Sequence, residues 1–202
     1  MTDSTGPLGS PASDAARAPR RGETPGWRAV LERATLREIL MGAQDNLTNV
    51  MAVMLGVAIG AGRADLVALA GVSAAVAESV SMGGVLYSST RAEAGHDRLE
   101  RAVSPPSVPP RIGALSPARS GLVTGVAALL GGLVPLVPFI FLPLAAAVAA
   151  ALTISVGALF ALGSVTGRLS GQTWWRDGIR LVMVAGLAAV AAAIVGTVLH
   201  VS

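Results

Sequence analysis

The 202-residue chain is 52% hydrophobic and 13% charged, with 15 basic residues against 12 acids and a formal net charge of +3. An ordinary soluble domain carries about twice that charged fraction, so the composition excludes one and points to a membrane protein. There is no cysteine, which excludes disulfides and thiolate metal sites.

All the basic residues are arginines, a coding habit of GC-rich bacterial genomes. In such a chain positive charge belongs to cytoplasmic loops and implies no nucleic-acid partner. Residues 1–26 are rich in Pro, Gly, Ser, Ala and Arg and lack hydrophobic periodicity. They are expected to form a disordered cytoplasmic tail, and they contain no apolar signal-peptide core. From Trp27 onward the chain favours helix. Trp27, Val30, Leu31 and Ala34 share a stripe opposite Arg28, Glu32 and Arg33, which predicts an amphipathic helix over 27–38 on the membrane surface.

Five apolar spans follow, at 39–61, 66–87, 121–142, 144–163 and 179–199. Each is long enough for a hydrocarbon core of about 30 Å at about 1.5 Å per residue. The expected fold is therefore an all-α membrane protein, with a five-helix transmembrane domain over 39–199. Spans one and two are joined by the short Gly62-Arg-Ala-Asp65 link, which predicts a helical hairpin. Residues 88–120 form a short cytoplasmic loop, in which the Pro-rich run ending at Pro110 stops any helix. Pro135, Pro138 and Pro143 predict either a tight turn between spans three and four or a kinked helix pair.

Arginine placement sets the orientation. Arg17, Arg20, Arg21, Arg28, Arg33 and Arg37 precede span one, and only Arg63 lies between spans one and two. Arg91, Arg98, Arg101, Arg111 and Arg119 lie between spans two and three. Arg168, Arg176 and Arg180 lie between spans four and five or at the start of five, and none follows span five. Every second loop is basic, so the N-terminus is expected inside a bacterial plasma membrane and the C-terminus outside.

Two acids fall within these spans, Asp45 and Glu78. A charged side chain at membrane depth costs roughly 2.5–3.5 kcal/mol near a helix centre, so each needs a partner, a water path or a ligand. Asp45 lies about 9 Å and Glu78 about 13 Å from the inner ends of their spans, at similar depth. Thr48 and Asn49 share the helical face of Asp45, and Met82 lies one turn below Glu78. Two carboxylates, a thioether and an amide at one level suit a borderline divalent ion such as Fe²⁺ or Mn²⁺. The same groups would also serve as a cluster of interhelical hydrogen bonds. Glu93, His96, Asp97 and Glu100 form i, i+4 pairs that could gather metal at the inner mouth, or simply a solvated charged face. No phosphate-binding Gly-Lys loop, no zinc-protease helix and no nucleophile elbow is present, so no enzymatic activity is expected.

Four stretches in order resemble the vacuolar iron transporter family. They are Gly42-Ala-Gln-Asp-Asn-Leu-Thr48, Ala77-Glu-Ser-Val-Ser-Met-Gly-Gly84, Gly131-Gly-Leu-Val-Pro-Leu-Val-Pro-Phe139 and Gly163-Ser-Val-Thr-Gly-Arg168. The resemblance implies a five-helix homodimer that exports Fe²⁺ or Mn²⁺ from the cytoplasm in exchange for H⁺. It implies no permanently bound cofactor. The family's first-helix acid matches Asp45 and the methionine of its Ser-Met motif matches Met82, while Glu78 falls near its second-helix acidic position. Two features depart from the family. Leu86-Tyr87 stands where many members have Glu-Tyr, and a short Pro-rich loop replaces the long Glu-rich cytoplasmic domain. A non-transporting membrane scaffold or accessory subunit is the alternative, as is a carrier of another small cation.

Overall fold

The computed structural model describes the backbone of residues 27–103 and 116–199, and the side chains of 35–99 and 116–199. The expected tail at 1–26, the Pro-rich run and the side chain of Glu100 lie outside the described residues. Six α-helices are present among the described residues: α1 (Trp27–Ala61), α2 (Ala64–Val103), α3 (Pro117–Leu133), α4 (Pro138–Phe141), α5 (Leu144–Leu169) and α6 (Trp174–Val198). A 3₁₀ turn over Val134–Leu136 joins α3 to α4, and no strand occurs among the described residues.

Several boundaries differ from the expected spans, for identifiable reasons. The predicted interfacial helix at 27–38 is not separate: α1 runs unbroken, because nothing between Trp27 and Met41 is Gly or Pro. α2 continues past the expected end of span two to Val103, just before Pro105. The third span is broken, since Pro135 and Pro138 convert its end into the 3₁₀ turn and the four-residue α4. Gly171, at φ 68°, lets the chain reverse between α5 and α6 where L side chains would be strained.

Among the described residues four stretches are long and apolar enough to cross a membrane: Ala64–Leu99, Pro117–Phe141, Leu144–Leu169 and Trp174–Val198. The chain is thus a multi-pass helical membrane protein. α1 does not meet that compositional measure, because Gln44, Asp45, Asn46, Thr48 and Asn49 interrupt its apolar sequence.

α1 nevertheless lies at the centre of the bundle, packed against α2, α3, α5 and α6. Directions follow from which residues meet. Ser120 bonds Glu38 and Ala128 bonds Asn46, each pair 82 residues apart, so α1 and α3 run side by side in the same direction. Gly56 meets Ala192 and, one turn on in both helices, Gly60 meets Gly196, so α1 and α6 are also parallel. α2 opposes α1 across the Gly62 turn, with Met54 against Gly71 and Asn46 against Ala75. The start of α1 and the end of α6 therefore lie at opposite ends of the bundle. Two apolar clusters fill the interior. Val50, Met54, Val67, Ala75 and Leu136 join α1 to α2 and the 3₁₀ turn, while Leu47, Met51, Leu159 and Ala185 join it to α5 and α6.

Candidate metal path on the first two helices

Among the described residues the buried polar side chains are neutral: Asn46, Thr48, Ser79, Ser120, Thr124 and Ser155. The two predicted carboxylates, Asp45 and Glu78, are only half-buried. This division follows desolvation, since an amide or hydroxyl can be satisfied locally whereas a charge needs a counter-ion or water.

Glu78 and Asn49 come together, with Asn49 Nδ2 donating to Glu78 Oε1 at 3.2 Å. That bond ties α1 to α2 at one depth. Asp45 lies one turn before Asn49 on α1, and Met82 one turn after Glu78 on α2. The helices are antiparallel, so those single turns run toward the same end of the bundle. All four predicted residues therefore fall within about one turn of a common depth, roughly 5.4 Å along the helix axes. Among the described residues Asp45 accepts no hydrogen bond and meets no cation. It sits on a stripe of α1 that its neighbours leave partly open: Met41 is 37% exposed and Val53 39%, with Asp45 and Asn49 between them.

Thr48 does not join this seam. Its hydroxyl donates back to the Gln44 carbonyl at 2.8 Å, an intrahelical bond. Glu93 and His96 are exposed and Asp97 is half-buried. No three His, Asp or Glu side chains among the described residues stand together as a metal cluster, at the inner mouth or elsewhere.

Two residues that sequence reasoning left out of the site support it. Asn46 is fully buried, and its Nδ2 faces Ala75 O at 3.1 Å, Ser79 Oγ at 3.2 Å and Ala128 O at 2.7 Å. One amide thus pins α1 to α2 and α3. It is the residue after Asp45, and Ser79 is the residue after Glu78, so the clamp fixes the backbone beside both carboxylates. A Cβ on Gly132 would stand 2.7 Å from Asn46 Nδ2, which is why glycine is needed there. The available signal was that an Asn in an apolar helix, turned about 100° from Asp45, has to find partners of its own. Glu38, the second, lies just outside the expected start of span one. Its Oε1 accepts from Ser120 Oγ at 3.0 Å, while its buried Oε2 has no partner among the described residues. It lies two turns from Asp45, and the same-helix spacing of seven was the signal.

Against known proteins, the VIT family model matches the chain at residues 36–108 and 104–197, which together reach part or all of each described helix. No curated protein is significantly similar to the chain. The matched stretch contains Asp45, Asn49, Glu78 and Met82 on the α1–α2 seam. By that match the chain belongs to the VIT family of membrane metal-ion transporters.

Proposed function

We propose that the chain exports Fe²⁺ or Mn²⁺ from the cytoplasm in exchange for protons, as a homodimer in the bacterial inner membrane. Asp45, Glu78, Met82 and Asn49 bind the ion in passage. The observation that carries this reading is the α1–α2 seam, where the Asn49–Glu78 bond stands one turn from an Asp45 that has no partner among the described residues.

The donor set suits the cargo. Carboxylate and amide oxygens accept any of these divalent ions, while the Met82 sulfur favours Fe²⁺ over Mg²⁺ or Ca²⁺. A carboxylate that binds metal must shed its proton, so metal and proton compete for the same atoms, which is the chemical basis of exchange.

α1 is the fifth span in this reading. Its own composition falls short, but it runs alongside α3 and α6 amid helices of membrane length. Five crossings put the N-terminus in the cytoplasm and the C-terminus outside, as the arginine asymmetry favours. Dimerisation is supported by the partly open stripe of Met41, Asp45, Asn49 and Val53. A half-buried carboxylate facing lipid would be costly, and a second copy across a two-fold axis would enclose it and double the ligands.

The test is uptake by proteoliposomes holding the purified chain, with Fe²⁺, Mn²⁺, Mg²⁺ and Ca²⁺ in competition. Saturable Fe²⁺ or Mn²⁺ flux accompanied by counter-movement of protons is expected. Vesicles no leakier than empty liposomes would favour a scaffold role instead.

A further inference from the structure

The α5–α6 corner carries a built arrangement that the metal path does not use. The Arg168 guanidinium carbon lies 5.4 Å from the ring centroid of Trp174, and that of Arg176 lies 5.3 Å from the ring of Trp175. Both indoles are 44% exposed, and Arg168, Arg176 and Arg180 are all exposed. Trp174 is held from behind by an edge-on contact with Phe160, centroids 6.4 Å apart.

The local acid does not neutralise these arginines. Asp177 is half-buried and turned onto α5, so that a Cβ on Gly167 would lie 2.6 Å from its Oδ2. Among the described residues no acid pairs with Arg168, Arg176 or Arg180, whereas Arg63 pairs with Asp65 at the opposite end of the bundle. The corner is also tightly packed: a Cβ on Gly163 would meet the Asp177 carbonyl oxygen at 2.8 Å. Two guanidiniums, each over one of two consecutive indoles, are thus presented at a close-packed turn. They stand where two helices of membrane length end, the depth of lipid phosphates.

We propose that this corner binds the phosphodiester headgroup of an anionic phospholipid, with Arg168 and Arg176 as the phosphate donors and Trp174 and Trp175 at the headgroup boundary. A cation–π contact with an indole holds each guanidinium in place while its N–H groups remain able to donate to phosphate oxygens. The inference rests on the membrane embedding of α5 and α6, and is independent of whether metal is carried.

The test uses the full chain in nanodiscs of phosphatidylcholine with and without phosphatidylglycerol, read by thermal unfolding and by native mass spectrometry of retained lipid. Phosphatidylglycerol should raise the unfolding midpoint and remain bound. The double change Arg168→Gln and Arg176→Gln should weaken its binding by about 5-fold per arginine, roughly 30-fold together. The pair Arg168→Lys and Arg176→Lys, which keeps charge but loses the planar stacked fork, should also bind less. The proposal is overturned if the lysine pair matches the parent, since bulk charge alone would then explain the preference. It is equally overturned if the glutamine pair keeps the lipid effect, or if inorganic phosphate reproduces it in phosphatidylcholine discs.

Discussion

Asn46 offers the sharpest test of how the path is held. Its amide has two protons for three acceptors, Ala75 O, Ser79 Oγ and Ala128 O, and its own Oδ1 is buried without a partner. Interhelical hydrogen bonds in membranes average about 0.6 kcal/mol and reach about 1.7. Removing the amide therefore costs about 1–2 kcal/mol. Removing the open Oδ1 returns a comparable amount, since an unsatisfied buried acceptor costs about 1–3 kcal/mol. Asn46→Leu should thus fall within about 1 kcal/mol of the parent. Asn46→Asp is closer in shape yet should be far worse. It replaces the donor with a charge aimed at two carbonyl oxygens, and an uncompensated buried charge costs about 3–5 kcal/mol. Acidification should relieve the defect, because a protonated carboxyl regains one O–H donor in the folded state. The assay is thermal unfolding of each variant in one detergent across a pH series. An aspartate variant as stable as the parent, or a leucine variant several kcal/mol weaker than the aspartate one, would refute the clamp.

Gly132→Ala should disturb the same clamp from α3, because its Cβ would stand 2.7 Å from Asn46 Nδ2. Overpacking of this kind costs about 1–3 kcal/mol, so both the unfolding midpoint and transport should fall although no ligand is touched. Glu78→Gln keeps an acceptor for Asn49, so the protein should fold and dimerise normally while metal flux is lost, as vesicle assays beside size-exclusion profiles would show. Met82→Leu conserves volume, so it should leave folding intact and narrow the preference for Fe²⁺ over Mg²⁺ in competition uptake. A reporter active only in the cytoplasm, fused at Ser202, should stay silent if five spans are crossed.

The helical character and the α1–α2 seam were legible because they rest on local rules. Apolar length gave the spans, and spacings of four put Asp45 with Asn49 and Glu78 with Met82. The antiparallel hairpin then followed from a connection too short for anything else. Three features were not legible, for different reasons. Helix limits were misplaced where the apolar run was shorter than the helix: α1 begins before its apolar stretch and α2 runs on after its own, because rising polarity does not end a helix and no proline interrupts either one. Glu38 was missed by that error, since a boundary one residue too late removed it from the inventory of acids. The role of Asn46 depends on tertiary contact. Its partners are two carbonyls and a hydroxyl on helices up to 82 residues away, and no pattern in the sequence marks a backbone carbonyl as a partner.

The central claim is that Asp45 binds the transported ion and does not merely link helices. Asp45→Asn preserves size and hydrogen-bonding capacity but removes the charge. It should be compared with the parent for Fe²⁺ and Mn²⁺ flux in proteoliposomes, alongside yield and oligomeric state. The account predicts that flux collapses while the protein remains folded and dimeric, and that parental flux declines as the cytoplasmic face is acidified. An Asp45→Asn protein that moves metal at the parental rate would contradict it.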